Sequence, residues 1–248
     1  MKVHYVDHMG SDLSVVNAAR VSFGKRSEQL TEKDKGLIRF LARGCTKGDW
    51  DKIQDDLMFL SEDHEKDQIE EILNHVKNMP THWTPFGHTA ITLHIKAPIF
   101  VARQLGKHQV GMVWNEVSRR YVTDEPEFYT PDAWRKAADN VKQGSGEDLQ
   151  RNETVMASIY WQDVMEESER AYSCLLNLGV CPEQARMVLP QSLFTEWYWT
   201  GNLYSFANVF IQRSDSHAQK EVQQIAEQID FLLMPLFPVS WPALTRGA

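Results

Sequence analysis

Apolar positions along this chain repeat with two different periods, and the places where one gives way to the other divide it into elements. In residues 1–10, MKVHYVDHMG, Val3 and Tyr5 alternate with polar neighbours as in a short strand, and Gly10, Ser11 and Asp12 supply a turn and a helix cap. A helix through SDLSVVNAARVSF follows. In LTEKDKGLIRFLARG, Thr31 and Asp34 form a cap, and Leu37, Ile38, Phe40 and Leu41 recur at helical spacing before Gly44. Residues 45–80 are strongly charged and read as a helical insertion, with a surface helix over residues 61–79 whose inner stripe is Ile69, Ile72, Leu73 and Val76.

From residue 89, TAITLHIKAPIF alternates in period two up to Pro98, which ends the strand before the apolar IFVARQL. Residues 122–149 carry the Gly144-Ser145-Gly146 breaker and many charges, the composition of a surface excursion joining two halves of one core. Three long helices are then expected: residues 152–179, ending at Gly179; residues 182–201, interrupted at Pro190; and residues 202–237, running to Pro235. With 248 residues, 42% of them hydrophobic, the chain can bury one core without staples. The expected fold class is α+β, a helix-rich single domain over residues 1–248 with a small, mostly antiparallel sheet.

Charge and cysteine usage narrow the function. The 26 basic and 34 acidic residues leave a net charge of -8, the wrong sign for holding nucleic acid through its phosphates. Cys45, Cys174 and Cys181 suit neither a disulfide framework nor a four-thiolate zinc site, which points to a reducing compartment. No apolar run approaches the roughly 20 residues that span a bilayer, and the N-terminal segment lacks the apolar core of a signal peptide. A cytoplasmic protein is expected, with no nucleic-acid or membrane partner.

The densest chemistry lies in KHQVGMVWNEVSRRYV, residues 107–122, where polar side chains of mixed sign sit among apolar ones. Unpaired burial of such groups is costly, so the cluster suggests a ligand. In the last helix Arg213, His217 and Glu221 fall at i, i+4 and i+8, which places them on one face with Asn208 nearby. A solvated stripe of ion pairs is the bland alternative. Arg186, followed by Met187, Val188 and Leu189, joins Arg213 and the Arg119/Arg120 pair as a candidate for gripping a phosphorylated small molecule, or for an internal ion pair. His82, His88 and His94 are too widely spaced for one metal ion, and Cys181 is expected to pack rather than react.

HWTPFGH, FVARQ, NEVSRRY, ARMVLP, WTGN and RSDSHAQKE stand in the order found in flavin-dependent thymidylate synthases, which the chain resembles over nearly its whole length. That family's signature, R-H-R-x-x-S-x-N-E-x-S-x-R-Y, is met in its second half by Asn115, Glu116, Ser118, Arg120 and Tyr121. The first half departs: Lys107, His108 and Gln109 replace Arg-His-Arg, and one extra residue precedes Asn115.

The resemblance implies reduction of FAD by NADPH and transfer of one carbon from methylenetetrahydrofolate to C5 of dUMP. It implies a homotetramer with active sites shared between subunits. Gln104, Glu116, Ser118, Arg119, Arg120, Arg186 and Arg213 would bind dUMP, with Arg213 and Ser118 catalytic. Ser22, His88, Lys107, His108, Gln109, Asn115, Glu116, Asn202, Asn208 and His217 would lie on the flavin and folate side. No metal is expected. The altered first half keeps open a hydroxymethylating relative or a nucleotide-binding protein without turnover.

Overall fold

The computed structural model describes residues 1–44, 65–77, 82–138 and 144–247, together with Ile53, Asp55, Leu57 and Met58. The insertion expected at 45–80 therefore lies largely outside the described residues.

Strands β1 (Lys2–Met9), β2 (Ala90–Pro98), β3 (Met112–Glu116) and β4 (Phe194–Gly201) form one antiparallel sheet in the order β1-β2-β4-β3. Its inner face follows from period two: Ile91, Leu93, Ile95 and Ala97 of β2 are buried, as are Thr195, Trp197, Trp199 and Gly201 of β4. The expected helix over 182–201 is thus corrected. Only Pro182–Ala185 and a 3₁₀ turn at Arg186–Val188 are helical. Beyond Pro190 the alternating aromatic and β-branched side chains of FTEWYWT favour a pleated surface over a helix.

Helices α1 (Asp12–Arg20), α2 (Glu32–Ala42), α3 (Glu65–Lys77), α4 (Ile99–Leu105), α5 (Arg151–Asn177), α6 (Pro182–Ala185), α7 (Leu203–Arg213), α8 (Lys220–Leu233) and α9 (Ser240–Thr245) complete the described elements. The sheet's inner face shares one apolar cluster with Val15 and Val16 of α1, Phe206 and Val209 of α7, Ile225 and Ile229 of α8, and Trp241 of α9.

Three further expectations are corrected. The single helix over 202–237 is two helices, because the Asp215 carboxylate accepts from the His217 backbone N–H at 2.9 Å and closes a local turn in place of the helical ladder. Of the four stripe residues on α3, Ile72 is buried and Ile69, Leu73 and Val76 are exposed, so the stripe packs through one side chain. Cys181 is exposed at the N-cap of α6 rather than packed.

The Thr31 cap of α2 joins a larger network. Asp34, 1% exposed, accepts from Thr31 N–H and Oγ at 3.0 and 2.6 Å, from Ser27 Oγ at 3.1 Å, and from Arg20 at 2.5 Å. These donors, Thr31 foremost, hold the carboxyl far below the usual carboxylate range despite its burial. Replacing Asp34 with Ala strands Arg20, Thr31 and Ser27, and we expect it to cost about 3 kcal/mol, read as a lower urea midpoint with an unchanged slope.

Candidate active site

The polar cluster is assembled by a tight chain path. Pro98 closes β2 and caps α4, which carries Arg103 and Gln104; residues 106–111 then turn back into β3. Gly111 makes this turn at φ 72°, and a Cβ there would stand 2.4 Å from Ser205 Oγ, so only glycine lets the turn dock on the start of α7. Ser205 Oγ donates to the Val110 carbonyl at 2.9 Å across the same contact. Period two in β3 directs Met112, Trp114 and Glu116 to one face and Asn115 to the other.

A cleft of 530 Å³ results, lined by Arg103, Lys107, His108, Gln109, Trp114 and Glu116 among others. Trp114 forms its aromatic wall, stacked on Trp197 at 4.3 Å and edge-on to Trp199. Glu116 is fixed through both oxygens: Thr195 Oγ donates to Oε1 at 2.6 Å and Trp114 Nε1 to Oε2 at 3.1 Å. Behind the cleft, Arg213 Nε donates to His108 Nε2 at 2.8 Å and Arg213 Nη2 to the Gln104 carbonyl at 3.2 Å. Both acceptors are neutral. Burial lowers the pKa of this guanidinium, and burial together with the Arg213 charge lowers that of His108 to about 4, so at neutral pH the imidazole is uncharged with its proton on Nδ1.

The structure thus brings together Gln104, Lys107, His108, Gln109, Glu116 and Arg213. Ser118 and Arg120 follow β3 directly, with Ser118 Oγ accepting from Arg120 Nε at 3.2 Å, while Arg119 donates to the Asp124 carbonyl and steadies its own loop. Other candidates stand apart. His217 is not on one helical face with Arg213, since it lies in the turn between α7 and α8, exposed and paired with Asp215 at 2.9 Å. Glu221 pairs instead with Arg135. Arg186 is exposed and donates to the Glu183 carbonyl at 3.3 Å, rather than lying in an apolar interior. Asn202 caps α7 by accepting from Ser205 N–H at 2.8 Å; Asn208 is half-buried in α7, and His88 is exposed ahead of β2. Ser22 lines a separate cleft of 690 Å³ with Phe23, Lys25 and Lys33.

Sequence reasoning missed Arg103, Trp114 and Thr195. Trp114 was accessible through its i+2 relation to Glu116, whereas Thr195 was hidden by the helical reading of its segment. Among the described residues no group of His, Cys, Asp or Glu is placed to hold a metal, and no helix is long and apolar enough to cross a membrane.

The family model for thymidylate synthase complementing protein matches residues 4–239, and the chain belongs to that family. The flavin-dependent thymidylate synthase of Thermosipho melanesiensis is 40% identical over 226 residues, covering 90% of this chain and 81% of that protein. The enzyme of the same name from Thermus thermophilus is 35% identical over 241 residues, 97% of this chain and 74% of its own length. Among solved structures, the UMP/dUMP methylase PolB from Streptomyces cacaoi, bound with 5-Br dUMP, superimposes with a TM-score of 0.73 at 29% identity, covering 98% of this chain and 93% of that one.

Because the folded pKa of His108 lies below its ordinary value of 6.5, the unfolded chain binds a proton first as the pH falls, and stability declines between pH 6.5 and about 4. His108→Gln, which keeps an acceptor for Arg213, is expected to lose less melting temperature than the parent between pH 7 and 5. The difference in stability should be on the order of 2 kcal/mol.

Proposed function

We infer that this chain is a flavin-dependent thymidylate synthase, converting dUMP to dTMP with methylenetetrahydrofolate as carbon donor and NADPH as reductant. The observation that carries the reading is a half-buried guanidinium, Arg213, held by two neutral acceptors beside a cleft with cationic and aromatic walls. A permanent cation so placed stabilises negative charge developing on a pyrimidine carbonyl. Glu116, Ser118, Arg119, Arg120 and Gln104 supply further groups for the nucleotide, and Ser118 orients Arg120.

The donor set fits a flavin dinucleotide. Arg103 and Lys107 are exposed cations on the cleft for its phosphates, Trp114 offers a ring face, and the buried indole N–H of Trp199 has no acceptor among the described residues. FAD, when bound, supplies the reducing equivalents. Gln109 and Lys107 give fewer fixed donors than two arginines would, so more of the phosphate grip falls to Arg103. His108 lines the cleft on the flavin side of this reading, whereas Asn115, Asn202, Asn208, His88, His217 and Ser22 would join the flavin and folate side only across a subunit contact.

Arg186 is exposed with no acidic partner among the described residues, which suits a contact made to the nucleotide of a neighbouring subunit. Exposed Val155, Met156, Ile159, Tyr160 and Val164 form a stripe on α5 that suits subunit packing. These features support a homotetramer with shared sites, and the cysteine usage suits action in the cytoplasm. Sedimentation of the purified protein should give four times the chain mass, and a monomer at micromolar concentration would refute the assembly.

The decisive experiment is anaerobic. NADPH should bleach the flavin absorbance in the presence of dUMP, and addition of methylenetetrahydrofolate should yield a product with the mass of dTMP. A hydroxymethylated nucleotide, or a protein that takes up no FAD, would overturn the reading. Arg213→Ala should lower turnover about 100-fold, a larger loss than its effect on folding stability.

A further inference from the structure

Two ends of one short turn converge on Gln104. Residues 214–219 separate α7 from α8; at the first end Arg213 donates to the Gln104 backbone carbonyl at 3.2 Å, and at the other Gln219 Oε1 accepts from Gln104 Nε2 at 2.5 Å. The backbone of Gln219 is firmly placed. Its backbone carbonyl accepts from Val222 and Gln223 N–H at 2.9 and 3.0 Å at the start of α8, and Gln223 Nε2 donates back to the Ala218 carbonyl at 2.6 Å. Two residues on, Glu221 is 4% exposed and takes Arg135 Nη2 on both oxygens at 2.8 and 2.9 Å. That ion pair ties the start of α8 to the 122–149 excursion.

We propose that Gln219 is a positioning residue for nucleotide binding: its side-chain oxygen holds the Gln104 amide group and leaves the Gln104 side-chain oxygen as the acceptor offered to a ligand. A carboxamide free to rotate presents either a donor or an acceptor. With its nitrogen on Gln219 Oε1, the Gln104 carboxamide has its oxygen to offer, and an acceptor suits the N3–H of a uracil ring and opposes the bare N3 of cytosine. This inference rests on the proposed role of Gln104 in holding dUMP.

The test measures dUMP affinity by calorimetry on the FAD-loaded protein, with melting temperatures, for Gln104→Ala, Gln219→Leu, their double variant and Gln219→Glu. Each single truncation is expected to weaken dUMP about tenfold, the size of one lost hydrogen bond, and the double variant should be no weaker than either. Gln219→Glu, which keeps the accepting oxygen, should stay within about threefold of the parent. Losses that multiply in the double variant, or a Gln219→Leu protein with parental affinity, would overturn the inference while leaving the site reading intact. A Gln104→Ala protein that binds dUMP normally would instead overturn the site reading. If Gln219→Leu melts more than a few degrees early, the ratio of dUMP to dCMP affinity decides: a ratio that Gln219→Leu lowers about tenfold and Gln219→Glu keeps supports the inference, and a ratio unchanged in Gln219→Leu refutes it.

Discussion

The pairing of β4 with two partners at once is the constraint on which the site depends. β2 occupies one edge of β4 and β3 the other, with Leu93 and Trp114 both opposite Trp199 in register. Because the side-chain period of a strand is two, a slip of one residue on either side would move every wall of the cleft to the opposite face. Trp114 would leave Trp197, Glu116 would lose Thr195, and Asn115 would turn inward. The buried indoles of Trp197 and Trp199, each 1% exposed or less, make such a slip expensive, so burial in the sheet sets the orientation of Glu116.

The second constraint is electrostatic. Arg213 gives up solvent and receives only an uncharged imidazole and a carbonyl oxygen. Two neutral acceptors position a guanidinium without neutralising it, so its field remains available to an anionic or polarisable ligand. His108 answers this by staying unprotonated, since a second cation at 2.8 Å would oppose both its own desolvation and its neighbour.

How much of this was legible in the sequence varied with the range of the interaction involved. The Thr31 cap, the β2 alternation and the Pro98 boundary depend on neighbours within a few residues, and all appear as read. The resemblance rested on ordered motifs and survived the family comparison. The helical reading of 182–201 failed because aromatic runs satisfy both periods over short windows, and pairing with β2 and β3, residues distant in sequence, decided between them. The same long-range logic hid Thr195 and Gln219. Each was assigned to a helix interior, whereas one lies in a strand and the other caps a helix start.

The departure from the signature motif can be weighed physically. Lys107 carries a mobile point charge in place of a planar fork, and Gln109 offers one amide in place of a cation. Both lie on the turn that Gly111 and the Ser205–Val110 contact pin to α7, so their backbone positions are set by the fold rather than by a phosphate. In the same turn Val110 is 91% exposed and meets no packing demand. Fold-imposed placement offsets part of what the lost guanidinium groups would contribute, because a donor already held in position loses less entropy on binding than one the ligand must order. Arg103, one helical turn before Lys107, places a planar cation on the same cleft.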